Sequence, residues 1–264
     1  MKPIDDYIER SQILFSIGHE LSQSFEGIVA PNRRMALTTH FLSRILESYM
    51  TLVSIQAERK ANLVIIQDYS SVASIARNII EACNLNYYLC VEDCPNDETE
   101  LRFLIADFHS LSETKFVIEN MFKDKKEIEI LITDLKLRTI ELEENVKFQK
   151  LDKQLQKNIL NGKRGSIFTQ YEITTRRSID LPLFKSMYKI MSVQTHSAPY
   201  ALDQMRLLKN DKSFDEHNQF FSAYITEYTN SFLAKTIQEI SKMWNMKFGI
   251  ESNKLFIDEC AEMF

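Results

Sequence analysis

Five glycines and five prolines serve a chain of 264 residues, and Pro3, Pro31, Pro95, Pro182 and Pro199 stand near the ends of long apolar-periodic stretches rather than inside them. A sheet of any size draws on these two residues for its turns, whereas helices interrupted only at their ends do not. The spacing therefore predicts an all-α fold, a bundle of about seven helices in one domain spanning residues 1–264. With 44% hydrophobic residues the chain can bury a substantial core.

Ile4, Ile8, Ile13, Ile17 and Leu21 space a first helix over about 4–28. Pro31 then suits the first turn of a second, carried to about 60 by Phe41, Ile45, Tyr49 and Leu52. Further helices are expected over about 62–91, 98–123 and 215–247. Residues 125–160 are charged yet periodic through Ile128, Leu131, Leu135, Leu142, Leu151 and Leu155, which reads as a protruding helical arm. Breaks at Arg138 and Asn145 argue against a sustained coiled coil. Residues 161–181 read as an irregular connector, in which Lys163, Arg164, Arg176 and Arg177 interleave with Phe168 and Tyr171. Such a strip is either a solvated loop or a surface that grips a phosphate backbone and stacks on bases.

The formal net charge of −5 gives no global drive toward nucleic acid or an anionic membrane, so any such partner must be met locally. The start, "MKPIDDYIER", lacks a basic region followed by an apolar one, and no stretch approaches the ~18 apolar residues of a membrane span. A cytoplasmic protein without a membrane partner is expected. Four cysteines in that setting read as reduced core thiols; Cys83 and Cys90 would stand about 10 Å apart along one helix, too far to share a zinc ion. The five histidines are dispersed and glycine-rich phosphate loops are absent, so neither a metal nor another cofactor is expected.

Two polar patterns interrupt otherwise apolar helices. In "SIARNIIEACNLNYYL", Arg77 and Glu81 form an i, i+4 pair among Ile75, Ile79, Ile80 and Leu85. In "YKIMSVQTHSAPYAL", Tyr188, Ser192 and His196 recur every fourth residue beside Ile190, Met191 and Val193. Each buried donor or acceptor left unpaired costs about 1–3 kcal/mol, so each helix needs the other's polar groups. Arg77 is expected to bind Glu81 and Tyr188, leaving Glu81 to orient His196. The cluster is either a buried network that fixes helix register or a functional pocket, in which His196 acts as general acid or base and Arg77 stabilises negative charge.

The motifs "IARNIIE" and "NYYL", with the later Tyr188, Ser192 and His196, resemble an uncharacterised bacterial all-helical domain-of-unknown-function family over about residues 60–205. That resemblance implies an all-helical fold with a polar cluster drawn from both helices. The chain is also distantly similar to HEPN-type ribonucleases, which are all-helical, usually dimeric, and carry an arginine followed a few residues later by histidine. "RMALTTH" (Arg34 to His40) and "RFLIADFH" (Arg102 to His109) have this form. Arg102 and His109 share a helix face, whereas Arg34 and His40 are rotated by about 120°. The likeness implies metal-independent RNA cleavage in bacterial stress or phage defence, the histidine assisting the ribose hydroxyl and the arginine stabilising the phosphoryl charge. Met35 and Phe103 stand where that family often carries a polar residue.

Arg33 and Arg34 oppose the macrodipole at a helix start, which calls for Glu26, another acid or a bound anion. The competing functional class is a non-enzymatic helical scaffold or protein-interaction module, with the charged arm joining a homodimer.

Overall fold

The computed structural model describes residues 4–60, 69–195, 213–246 and 251–262, with Pro199 and Asp203. His196 lies outside the described residues, as does the expected start of the third helix at 62–68. The protein is all-α, and no strand occurs among the described residues. Eleven α-helices are described rather than about seven: α1 Ile4–Gln23, α2 Arg33–Lys60, α3 Tyr69–Asn86, α4 Asn96–Val117, α5 Lys125–Glu144, α6 Val146–Gln149, α7 Lys153–Leu160, α8 Gln170–Arg176, α9 Leu181–Thr195, α10 Ser213–Met243 and α11 Glu251–Ala261. None is long and apolar enough to cross a membrane.

The extra helices have local causes. Asn145 accepts hydrogen bonds from the Lys147 and Phe148 amides, and Asp152 from those of Gln154 and Leu155. Each satisfies orphan donors of a new helix start, so the expected arm is cut into α5, α6 and α7. Within the expected connector, Ile173 and Thr174 are buried and organise α8. Two helices widen into π-helical turns before ending: α3 through Tyr87–Val91, and α4 through Ile118–Phe122, closed by left-handed Lys123.

The chain divides into two compact units, one of residues 1–91 with 170–264 and the other Glu92–Thr169. In the first, α3 packs against α2, α9 and α10, while α10 also packs against α1 and α11. Leu14, Ile45, Ala76, Ile79, Phe184, Met191, Phe232 and Ile237 lie in one core there. Ala73 and Ala76 keep α3 slim enough for neighbours on several sides. That crowding is why polar groups on α3 must find partners. In the second unit α4 packs against α5, α6 and α7, around Leu101, Ile105, Phe108, Leu142, Phe148 and Ile159.

Arg34 at the start of α2 donates from Nε to the Cys90 carbonyl, at 2.7 Å. A cation there answers the negative end of α3 and its π-helical turn. Cys83, Cys90 and Cys260 are buried thiols, pushed up by burial to about 11, about 12 and about 11; Cys94 is partly exposed. Among the described residues no group of three or more His, Cys, Asp or Glu is placed to hold a metal ion.

Candidate functional site

Helices α3 and α9 meet along a polar seam. Arg77 donates from Nε to Glu81 Oε1 at 2.8 Å, from one η nitrogen to the Tyr188 hydroxyl at 3.1 Å, and from the other to Ser192 Oγ at 3.4 Å. The Tyr188 hydroxyl in turn donates to the same Glu81 oxygen at 2.5 Å. Arg77, Glu81, Tyr188 and Ser192 are thus brought together.

The seam continues through residues that the spacing argument passed over. Ser70 donates to Gln194 Oε1 at 3.1 Å, and Ser74 to Thr195 Oγ1 at 3.2 Å. From Glu81 to Ser74 the α3 numbers fall while the α9 numbers rise from Tyr188 to Thr195, so the helices run antiparallel. On α3 the polar residues Ser70, Ser74, Arg77 and Glu81 follow a 4-3-4 spacing, and on α9 Tyr188, Ser192 and Thr195 follow 4-3. Steps of four and three keep a row within about 60° of one direction, whereas two steps of four drift by about 80°. The heptad spacing was the available signal, and it selects Thr195.

Burial pushes the Tyr188 hydroxyl up to about 12, and the Glu81 carboxylate adds to the rise. Burial opposes the charge of Arg77, but Glu81 and Tyr188 more than offset it and raise its pKa. The Tyr188 ring stacks on Phe184, with centroids 5.3 Å apart, and meets Tyr171 edge-on at 6.0 Å. Tyr171 is exposed, and Lys185 Nζ lies 5.9 Å from its ring centroid. The result is a cation, two hydroxyls and an exposed aromatic ring around one stretch of α3, α8 and α9.

Three other buried or part-buried arginines define the contrast. Arg102 meets Glu92 at 2.6 Å and Glu98 at 2.5 Å, with its side chain 1% exposed. Arg177 forks onto Glu239, also donates to Thr236 and Asn84, and is 0% exposed. Arg10 spans Glu227 and Glu259. In each the positive charge is answered by two carboxylates or by a forked pair. Arg77 donates from Nε to Glu81, sets its η nitrogens on the hydroxyls of Tyr188 and Ser192, and is 20% exposed.

The other sequence candidates have partners of their own. The buried Arg102 has its charge answered by two carboxylates, where no phosphoryl group can reach it without breaking both pairs. His109 bonds through Nδ1 to the Gly162 carbonyl at 2.9 Å; a carbonyl only accepts, so Nδ1 carries the proton. The pair sharing a face on α4 is thus held by partners within its own unit. His40 is exposed on α2, while Arg34 is tied to Cys90. Of the basic strip, Arg177 is a core residue and not part of a solvated loop, because Glu239, Thr236 and Asn84 converge on it.

No family model matches the chain, and no curated protein or solved structure matches it.

Proposed function

We propose that the α3–α9 seam binds single-stranded RNA and that the chain cleaves it without a metal. The observation that carries this reading is the η edge of Arg77, held on hydroxyls and part-exposed, over a Tyr188 ring that in turn meets the exposed Tyr171 edge-on. A phosphoryl oxygen can replace Ser192 and Tyr188 on that edge while Glu81 keeps Nε and fixes the plane of the guanidinium. The exposed Tyr171 ring offers a stacking face, and Lys185 a second cation. His196, four residues beyond Ser192 in sequence, is the proposed general base for the ribose hydroxyl, with Arg77 stabilising the phosphoryl charge. An accessory role in bacterial stress or phage defence fits such an activity.

The test is to incubate the full chain with labelled oligoribonucleotide in excess chelator, reading binding by anisotropy and cleavage on a gel. Arg77→Ala is expected to weaken binding by at least about tenfold and to flatten the salt dependence by close to one phosphate contact. Tyr171→Ala is expected to cost about 1–3 kcal/mol of binding, the worth of one base stack. His196→Ala should abolish cleavage with binding retained. Absence of binding at low salt ends the proposal.

A second reading, a protein-interaction module without catalysis, is favoured by a different observation. Phe116, Val117, Met121, Phe122, Ile130, Leu137, Ile140 and Val146 are large apolar residues exposed within Glu92–Thr169.

A further inference from the structure

Helix α5 is apolar on two opposite sides. Leu131 and Leu142 are buried and Leu135 packs against the core of its unit. Opposite them run Lys126, Ile130, Thr133, Leu137, Ile140 and Glu144, at steps of 4, 3, 4, 3 and 4. That is the a/d row of a helix–helix seam, and Ile130, Leu137 and Ile140 are 53%, 56% and 51% exposed. A bundle helix normally confines its apolar stripe to the side it buries. Here the second stripe faces outward, uncovered by the described residues.

The charges around the stripe select its occupant. Helix α5 carries six carboxylates, Glu127, Glu129, Asp134, Glu141, Glu143 and Glu144, against Lys125, Lys126, Lys136 and Arg138, a net charge of −2, and both extra lysines sit in its first turn, so from Glu127 onward the balance is −4. Arg138 is already held by Glu141 at 2.7 Å. Glu127, Asp134 and Glu141 take the e positions along the seam; Glu129, Lys136 and Glu143 take the g positions. A second copy laid antiparallel pairs Ile130 with Ile140 and Lys126 with Glu144, but sets Glu127 against Glu141, Asp134 against its counterpart and Glu129 against Glu143. Laid parallel, it sets Lys126 and Glu144 against their own counterparts. Either way, like charges line the contact.

We propose that the outer face of α5 docks a cationic amphipathic helix from a partner protein, its apolar residues following the same heptad and its flanks carrying lysine or arginine. Beside the stripe, Ile132, Lys136 and Thr139 line a cleft of about 560 Å³ with Phe108, Ser112 and Phe116 of α4, room for one bulky side chain of that helix. This inference rests on the interaction reading and is independent of RNA binding at α3 and α9.

Two labelled synthetic helical peptides test it, both with leucine at a and d, one with lysine and the other with glutamate at e and g. Each is titrated into the full chain by anisotropy, alongside Leu137→Glu, whose fold is checked by circular dichroism; the exposed position leaves the core unaltered. The lysine peptide is expected to bind at least about tenfold tighter than the glutamate peptide, more weakly as salt rises. Leu137→Glu is expected to lose that binding. The added carboxylate would strengthen a merely non-specific attraction, so unchanged or tighter binding by Leu137→Glu overturns the proposal. Equal affinity for the two peptides overturns it as well. So does self-association, read by light scattering, that Leu137→Glu dissolves, since a second copy would then own the face. Oligoribonucleotide binding by Leu137→Glu is expected to equal that of the unaltered chain, which keeps the two readings separable.

Discussion

At the scale of single residues, the seam turns on a hydroxyl that is both donor and acceptor. Tyr188 accepts from Arg77 and donates to Glu81, so phenylalanine there keeps the stack on Phe184 and loses both bonds. Tyrosine ionises near 10 in an unfolded chain, while burial and the Glu81 charge hold Tyr188 up to about 12 in the folded one. Between those values the folded state keeps a proton that the unfolded state has shed, so its contribution is full below about 10 and lost as pH rises through about 12. Urea unfolding across that window is expected to show stability falling with pH, with a shallower fall in Tyr188→Phe. Some slope will persist, because burial also raises Tyr49 and Tyr228. An identical slope in the variant contradicts the bonding described.

At the scale of elements, the helices were legible because glycine and proline are confined to their ends, and the meeting of α3 with α9 because a charged pair among isoleucines demands a partner. Three features were not legible. The heptad break at Asn145 was visible but did not say that a new helix starts there, and Asp152 lies in a charged run with no break to mark it, so only the caps reveal the two helix starts. A π-helical turn inserts one residue without a composition of its own. Arg177 looked solvated because its partner Glu239 lies 62 residues onward in a helix that shows many polar side chains. The glycine that ends α7 offers an element-scale test. Gly162 at φ 69° and Gly27 beyond α1 at φ 76° are both left-handed, but an added Cβ meets Ser112 Cβ at 2.7 Å in the first and nothing within 4 Å in the second. Gly27→Ala is expected to cost about 1 kcal/mol from the backbone alone, and Gly162→Ala about 1–3 kcal/mol more from overpacking. Urea midpoints check the order; equal losses would mean that α4 yields freely at Ser112.

At the scale of the molecule, each compact unit has its own arginine sealed onto carboxylate: Arg102 with Glu92 and Glu98 inside Glu92–Thr169, Arg177 with Glu239 in the unit built from 1–91 and 170–264. Removing either arginine strands a carboxylate where water reaches poorly, and breaking such a pair from one side costs about 3–5 kcal/mol. If the units are separate cooperative bodies, the loss stays where it is made. Amide exchange in Arg102→Ala is expected to quicken over 92–169 and to hold its rate in α3 and α10, while Arg177→Ala is expected to do the reverse. Arg177→Ala also removes support from Asn84, which otherwise bonds Gln170 and Thr174 of α8, so the first amides to open should include those of α8. Exchange that rises equally in both units in either variant would make them one cooperative body, and the α5 face would then belong to the same folding unit as the α3–α9 seam.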